Sequence, residues 1–409
     1  MKRDVEKEMH AKKGSNVNSI KTDNRALLIR VIKEHDGISR ADLAKVTSLS
    51  KGGITPIINE LLKMGIIHET GTINTESGRK PIQLKINPSG CYAIVVDWTR
   101  KDITVALVDF TGNIISITVY KFLQEDSLDY IVNVIKSRIA EILNTYKDKR
   151  IIGIGVVAPG PLDYKSGTIL SPPNFRGWSN IPIALMLEKE FNIPVFVDNN
   201  SNAHALAEKN FGLLRHYNHC IHIVVDEGIG AGIILNDNIF RGAMGFGSEI
   251  GHITINMKGP QCKCGNIGCL EVYATIPKLL EKANNVSCNI DDVRSTALEW
   301  EDIINGLKDG NEFYMGILKE EAQYLGNALV SLINLFDPQI IVIGSILAMA
   351  GEYITKPLKD FIENKIIARN FNLPGIYTSS LKQASLKGGA TIVFEHFISG
   401  DMGIYEKII

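Results

Sequence analysis

One histidine and three cysteines lie close together in the sequence and carry the side chains of a metal site. His252 stands ten residues before Cys262, and Cys264 and Cys269 follow. Three thiolates and one imidazole are the donor set of tetrahedral zinc. Because protein atoms fill all four positions, no place is left for an activated water, and the zinc is predicted to be structural. Reduced cysteines without a ligand, or a redox site, are the alternatives.

The other cysteines and the beginning of the chain bear on the compartment. Cys91, Cys220 and Cys288 are scattered along the sequence. The first eight residues are mostly charged and lack the apolar core of a signal peptide. The longest nearly uncharged apolar run, 340–350, is far shorter than the ~20 residues of a membrane-spanning helix. We therefore expect a cytoplasmic protein, in which these cysteines do not form a disulfide framework.

Charge is unevenly distributed over the 409 residues. Residues 1–90 contain 16 Lys and Arg against 10 Asp and Glu, whereas residues 91–409 contain 28 against 35. Hydrophobic residues make up 45% of the chain, which excludes global disorder. A basic end on an acidic body indicates a nucleic-acid-binding module joined to a second kind of domain.

The first ninety residues have the pattern of a winged helix-turn-helix. Leu27, Leu28, Val31 and Ile32 have helical spacing, which predicts an apolar helix face. The third helix contains Pro56, which removes one intrahelical hydrogen bond, so a late or irregular start of this helix is expected. The remaining elements are a short helix over 40–46 capped by Ser39, the third helix, which Ser50 caps and which ends at Gly65, and a two-stranded wing formed by 66–69 and 82–86.

The third helix of such a motif fits the major groove of DNA, and its exposed side chains reach the base edges. Lys51, Thr55 and Asn59 share one face at four-residue spacing and are the candidate base contacts. In the wing, Arg79 and Lys80 are expected to meet phosphate or enter the minor groove. A winged helix that serves only protein contacts is the alternative.

From Cys91 onward, buried strands alternate with helices, which predicts a large α/β body. This body is too long for one comfortable core, so two lobes with a cleft between them are expected. The predicted domains are an arm (1–20), the winged helix-turn-helix (21–90), a first lobe (91–200) on which a C-terminal helix (386–409) packs, and a second lobe (201–385) with the zinc loop (252–271).

Several sequence blocks of this body resemble the ROK family of repressors, open reading frames and sugar kinases. The most specific is Glu249-Ile-Gly-His252 followed by the cysteine segment. With the winged helix, the resemblance covers nearly the whole chain and is greatest to the xylose-repressor-type branch. The other matching blocks are 156–163, 173–178, 198–203 and 227–233.

The resemblance implies an actin/hexokinase-like fold with a sugar bound in the cleft. Carried over position by position, it implies sugar contacts by Asn199, Asn200, Glu249, His252 and Glu271. Carboxylates and amides suit a pyranose because they exchange paired hydrogen bonds with its hydroxyls. His252 would ligate zinc through one nitrogen and offer the other to the sugar. Alternatively, the glutamates are surface carboxylates and the asparagines cap the following helix.

Departures from the kinase pattern imply a regulator rather than an enzyme. Where the kinases keep a catalytic Asp, this chain has Asn200, whose amide is not a useful general base. The segment Asp97-Trp98-Thr99-Arg100 lacks the glycine of the family's first phosphate loop, and Gly344-Ser345 stands where a glycine pair is expected. The Gly228–Gly232 loop remains, but one glycine loop does not hold ATP and magnesium.

We therefore expect a sugar-responsive transcriptional repressor that binds double-stranded operator DNA as a dimer or a dimer of dimers. The effector would be xylose or a related mono- or oligosaccharide, and the cofactor would be structural zinc. Two alternatives remain: an active ROK sugar kinase with a DNA-binding arm, and a metal-responsive regulator that uses the cysteine cluster as its sensor.

Overall fold

The computed structural model of the chain describes residues 17–35, 37–72, 82–173, 175–287, 297–363, 365–367 and 373–400. They belong to two units. One contains the described residues up to Cys91, together with 109–111 and those from Phe394 onward, and the other contains Tyr92–Val108 and Gly112–Val393. Among the described helices, none has both the length and the apolar composition to cross a membrane.

The first unit contains the predicted winged helix-turn-helix. Its elements are α1 (Val17–Glu34), β1 (Ile38–Ser39), α2 (Arg40–Thr47), α3 (Lys51–Lys63), β2 (Ile67–Thr72) and β3 (Ile82–Ile86). Strand β3 pairs antiparallel with both β1 and β2. The prediction of three helices followed by a wing is confirmed.

Both predicted serine caps of this motif are observed. The hydroxyls of Ser39 and Ser50 accept hydrogen bonds from the backbone N–H three residues further on, at 3.1 and 3.0 Å. Helix α3 begins at Lys51 and continues through Pro56, so the expected late or irregular start is wrong. The proline removes one hydrogen bond, and the helix is held in place by its buried residues Ile54, Ile57, Ile58 and Leu61.

Helix α1 buries most of the face predicted for it. Leu28, Val31 and Ile32 are buried as expected, but Leu27 is 39% exposed, and Ile29 is fully buried. Arg25 is also buried and donates a hydrogen bond to Glu60 of α3 at 3.1 Å. Arg25 therefore belongs to the inner face of α1. A search for regularly spaced apolar residues does not find a charged residue of this kind.

The first lobe of the second unit is built from β4 (Tyr92–Trp98), β5 (Asp102–Asp109), β6 (Ile114–Lys121), α4 (Leu128–Thr145), β7 (Ile151–Ala158), β8 (Leu162–Asp163), β9 (Thr168–Ile169), α5 (Ile183–Phe191) and β10 (Val195–Asn199). Its main sheet has the order β10-β7-β4-β5-β6. The strands β10, β7 and β4 are parallel, and β6 is antiparallel to β5. Buried residues of this sheet pack with those of α4 and α5.

The second lobe contains α6 (Asn200–Phe211), β11 (Cys220–Val225), β12 (Ile229–Leu235), β13 (Asn238–Ile239), α7 (Ile276–Ser287), α8 (Trp300–Lys308), α9 (Glu312–Phe336), β14 (Ile340–Gly344), α10 (Glu352–Glu363) and β15 (Gly375–Thr378). The sheet order is β13-β12-β11-β14-β15. Helix α11 (Ala384–Ser399) is the last described helix, and its residues from Phe394 onward belong to the first unit. The helix expected over 386–409 begins at Ala384 and ends at Ser399, and residues 401–409 lie outside the described part.

Helix α6 approaches its neighbours so closely that only glycine fits opposite it. A Cβ atom at Gly388 of α11 would overlap the carbonyl oxygen of Ala203, and one at Gly230 would overlap the hydroxyl of Ser201. In the Gly228–Gly232 run, two of the three glycines therefore lie in strand β12 and allow α6 to pack on it. The packing of α6 is thus a structural reason for Gly230 and Gly232, and the run also lines the cleft between the lobes.

We expect Gly388→Ala to destabilise the protein by at least about 2 kcal/mol, because the added methyl group meets backbone atoms. Gly316→Ala is the matched control, since nothing lies within 4 Å of a Cβ at Gly316. Both glycines lie in helices, so helix propensity favours alanine at both, and Gly316→Ala should stabilise by about 0.5–1 kcal/mol. Urea unfolding of the full chain measures both, and equal effects would contradict the packing argument.

Candidate ligand-binding cleft and metal cluster

A cavity of about 360 Å³ lies between the two lobes of the second unit. It is lined by the segments that follow β4, β7, β10 and β11, so it lies at the carboxyl ends of parallel strands, the usual ligand position in α/β folds. The five residues predicted to contact sugar all line this cleft: Asn199, Asn200, Glu249, His252 and Glu271.

The two asparagines stand at the start of α6. The side-chain oxygen of Asn199 caps this helix by accepting a hydrogen bond from the backbone N–H of Asn202 at 2.8 Å, and Asn200 is the first helical residue. Capping uses the oxygen of Asn199 and leaves its amide N–H groups. The preceding Asp198 is buried and accepts two hydrogen bonds from Arg241, at 2.6 and 3.0 Å, which fix the start of α6.

The two glutamates come from short 3-10 turns of the second lobe. Glu249 directly precedes the turn Ile250–His252 and is open to the solvent of the cleft. The surrounding protein raises the pKa of its carboxyl, and the nearby Glu271 raises it further, whereas His252 opposes the shift. A carboxylate oxygen of Glu271 accepts a hydrogen bond from the backbone N–H of Ile229 at 3.3 Å. Both carboxylates therefore belong to the cleft.

Sequence reasoning did not assign the other described acids of the cleft to the site, and Asp97 and Asp226 are two of these. Asp97 and Asp226 line it directly at the ends of β4 and β11. Burial raises the pKa of Asp97 to about 6, and burial also raises the pKa of Asp226, against a hydrogen bond from Ser345. The sequence could have identified both residues, because each Asp lies at the carboxyl end of a continuous apolar strand.

The cleft also contains two basic residues. Lys101 of the first lobe forms an ion pair with Glu227 of the second. Arg100 donates from Nε to the carbonyl oxygen of Pro173 at 3.0 Å. Among the described lining residues, these two cations face six carboxylates: Asp97, Asp102, Asp226, Glu227, Glu249 and Glu271. The lining is therefore strongly acidic.

An aromatic cluster supports one wall of the cleft. Trp98 lines the cavity but is only 1% exposed, and its ring packs on Phe175 and Trp178 with centroid distances of 5.4 and 6.1 Å. Trp98, which belongs to the segment that lacks the glycine of the first phosphate loop, is thus fixed by neighbouring rings. Its position is a consequence of packing in the first lobe.

The predicted metal ligands come together in space. One donor atom from each of His252, Cys262, Cys264 and Cys269 lies within 4.8 Å of every other. The Sγ atoms of Cys264 and Cys269 are 3.7 Å apart, as are Cys262 Sγ and His252 Nδ1. Tetrahedral ligands at the zinc–sulfur distance of about 2.3 Å have sulfur atoms about 3.8 Å apart. The four residues therefore can hold one metal ion.

The backbone and the local chemistry also suit a cation. Gly268 has a φ of +66°, which lets the loop turn back so that Thr254 bridges to Cys269. Burial raises the pKa of the Cys269 thiol to about 12, whereas a backbone hydrogen bond at Asn266 lowers that of Cys264. A buried thiol of this kind needs a bound cation to remain a thiolate.

The candidate DNA contacts divide into described and undescribed residues. Lys51, Thr55 and Asn59 are exposed on α3, opposite its buried face. Arg79 and Lys80 lie outside the described residues. The structure therefore places three of the five candidates on one accessible helix surface.

Comparisons with protein families match both parts of the chain. The ROK family matches residues 93–396, and a winged helix-turn-helix DNA-binding family matches residues 22–68. The resemblance stated for the sequence blocks is thereby confirmed over most of the chain.

Relatives extend this match over both parts together. The xylose repressor of Caldicellulosiruptor bescii is 32% identical over 396 residues, which cover 93% of this chain and 97% of the relative. A crystal structure of a ROK family transcriptional regulator, a homologue of the E. coli MLC protein, is 28% identical with a TM-score of 0.79, covering 95% of this chain and 99% of that one. A ROK family glucokinase from Streptomyces griseus, solved with glucose and AMPPNP, is 26% identical with a TM-score of 0.64, covering 73% and 98%. The sugar-kinase-like fold predicted for the body is confirmed.

We expect Asp97→Asn to stabilise the protein at neutral pH. The folded state raises the pKa of Asp97 from 3.8 to about 6, so the penalty for burying its charge is absent below pH 3.8 and complete above pH 6. Such a shift is worth at most about 3 kcal/mol, because water in the cleft screens part of it.

Urea unfolding at pH 4 and pH 7.5 tests this expectation. The gain should be near zero at pH 4 and clear at pH 7.5. Asp360→Asn, at an exposed position of α10, is the control and should change stability equally at both pH values. A gain from Asp97→Asn that is the same at both pH values would contradict the argument.

Proposed function

The chain belongs to the ROK family, and from this premise we propose that it is a sugar-responsive transcriptional repressor. The observation that carries the proposal is one chain in which a winged helix-turn-helix accompanies a ROK body whose cleft is lined by carboxylates, amides and a histidine. The C. bescii xylose repressor aligns with the chain across both parts, which supports a repressor rather than an isolated sugar-binding domain.

The lining of the cleft favours an uncharged sugar as the effector. Asn199, Asn200, Glu249, His252 and Glu271 offer donors and acceptors to a ring of hydroxyls. The excess of carboxylates disfavours a sugar phosphate, because like charges would meet in a partly desolvated space. The name of the C. bescii relative, xylose repressor, suggests xylose or a related small saccharide as the effector.

The metal proposed for the cysteine cluster is structural zinc. His252 directs Nδ1 toward the sulfur of Cys262, so Nε2 is the nitrogen that remains for the cleft. Holding the ring through one nitrogen fixes the direction of the other. Bound zinc would also order the loop that ends at Cys269, two residues before Glu271. The metal cluster would thus position two of the groups that contact the sugar.

Operator binding is assigned to the winged helix-turn-helix, with residues 21–90 as the DNA-binding domain and residues 91–200 and 201–385 as the lobes. Lys51, Thr55 and Asn59 of α3 would contact bases, and Arg79 and Lys80 would contact phosphate. A dimer would present two such helices to a palindromic operator, with half-sites whole helical turns apart.

We do not assign kinase activity to the chain. Asn200 is proposed to stand where a kinase has its catalytic Asp, and an amide does not accept the proton of a sugar hydroxyl. The similarity to the S. griseus glucokinase supports a common body, whereas the winged helix-turn-helix is an additional module.

Sugar binding is proposed to change the placement of the two recognition helices and lower operator affinity. By linkage, operator DNA would weaken sugar binding by the same factor.

The test is operator binding, measured by gel shift on the natural promoter region, with and without a panel of pentoses and hexoses. At least one sugar should weaken operator binding about 5- to 150-fold. Glu249→Ala should bind operator normally but lose this response, because it removes an acceptor of sugar hydroxyls.

Glu125→Ala, an exposed glutamate outside the cleft, is the control and should respond like the wild type. The same preparations are assayed for ATP-dependent sugar phosphorylation, which should be absent. Normal induction of Glu249→Ala would refute the assigned site. Steady turnover to a sugar phosphate would replace the repressor proposal with the kinase alternative.

Cys264→Ser should remove zinc and, with it, the response to sugar. Metal analysis of the wild type should give about one equivalent, and the variant much less, because a thiolate ligand is lost. Cys220→Ala, a thiol outside the cluster, should retain the metal. Wild-type protein with less than half an equivalent would contradict the zinc assignment. Operator binding that follows free zinc and ignores sugars would favour the metal-responsive alternative.

A further inference from the structure

A second cavity lies in the second lobe, apart from the residues assigned to sugar. It has a volume of about 230 Å³ and is lined by the side of α6, by β11, and by the segments that follow β14 and β15. Its polar lining residues include His204, His222, Ser345, Ser379 and Gln383. Like the cleft, it lies beside carboxyl ends of parallel strands, where α/β sheets place ligands.

Two imidazoles in this cavity have unused hydrogen-bonding atoms. His222 is fully buried, and neither of its ring nitrogens has a hydrogen-bond partner among the described residues. His204 Nδ1 also lacks one, and the two ring centroids are 5.7 Å apart. A buried polar group without a partner costs about 1–3 kcal/mol. The fold therefore leaves hydrogen-bonding nitrogens without partners at this point, and a bound molecule would supply those partners.

The chemistry of the lining selects an uncharged occupant. Among the described residues, those that line the cavity include no Asp, Glu, Lys or Arg. Burial lowers the pKa of His204 to about 4 and that of His222 well below its ordinary value, so both rings are neutral at physiological pH. The carboxylate of Glu208 behind Ser379 already accepts hydrogen bonds from that hydroxyl and from the backbone N–H of Leu213. Neither an anion nor a metal ion would find a countercharge.

We propose that this cavity is a second ligand site, which binds a small uncharged molecule with hydroxyl or amide groups through His204 and His222. Two residues of its wall, Ser345 and Gln383, have φ angles of +59° and +55°, a region that non-glycine residues adopt at a cost. Ser345 also donates a hydrogen bond to Asp226 of the sugar cleft at 3.1 Å. An occupant that contacts Ser345 would therefore act on a residue of the first site.

The experiment uses full-length protein with isotope-labelled histidine, so that each imidazole reports its own environment. The protein carries Glu249→Ala, which disables the proposed sugar cleft and makes the result independent of the repressor assignment. The probes are glycerol, D-xylose, D-glucose and acetamide, together with inorganic phosphate and Ni²⁺ as charged comparisons. At least one neutral probe should shift the resonances of His204 and His222 while those of the exposed His216 stay in place.

Variants then assign the binding to this cavity. His222→Phe fills the space and removes both nitrogens, and His204→Gln keeps the wall polar with a changed geometry. Each variant should lower the affinity of the protein for the neutral probe at least tenfold, whereas His216→Gln should leave this affinity unchanged. Failure of every neutral probe to shift the two imidazoles would overturn the proposal. So would binding of phosphate or Ni²⁺ alone, or affinity that survives both cavity variants.

Discussion

Helix α6 can occupy its position only because the neighbouring elements have glycines where they meet it, so that their backbone lies directly against the helix. Much of the body is arranged around this contact. Gly388 lies against Ala203, and Gly230 lies against Ser201. The helix so placed presents Asn199 and Asn200 to the cleft at its start and His204 to the second cavity one turn later. A shift of α6 by the width of one methyl group would move both sites together.

The start of α6 is fixed by charge as well as by packing. Asp198 is buried, and its pairing with Arg241 joins the last strand of the first lobe to the loop after β13 in the second. Breaking such a pair leaves an uncompensated buried carboxylate, at a cost of about 3–5 kcal/mol. The Lys101–Glu227 pair joins the same two lobes. Two ion pairs thus oppose separation of the lobes, while like-charged carboxylates between them oppose complete closure.

The extent to which the sequence predicts this structure depends on the range of the interactions. Ser39 and Ser50 were identifiable as caps because a cap acts on residues three positions away. The cysteine cluster was identifiable because chelation requires a local arrangement of donors. The burial of Arg25 was not identifiable because it depends on Glu60 of another helix.

Long-range packing produced the other discrepancies. The glycine run resembles a phosphate loop in sequence, yet the reason for Gly230 is the approach of α6, which only the tertiary structure defines. His204 and His222 are eighteen residues apart on different elements, and no local pattern links them. Arg79 and Lys80 remain predictions, as do the roles of the residues in the cleft.

On this fold, the charge of the cleft lining distinguishes a sugar sensor from a sugar kinase more strongly than one catalytic residue does. A nucleoside triphosphate brings several negative charges, which need cations or magnesium to offset them. Among the described residues that line this cleft, two cations face six carboxylates, and one cation, Lys101, is already paired with Glu227. A neutral sugar meets the opposite situation, because its hydroxyls donate hydrogen bonds to carboxylates and relieve their mutual repulsion. In the proposed function, restoring an acid at Asn200 would therefore supply a base but leave the nucleotide without a place to bind.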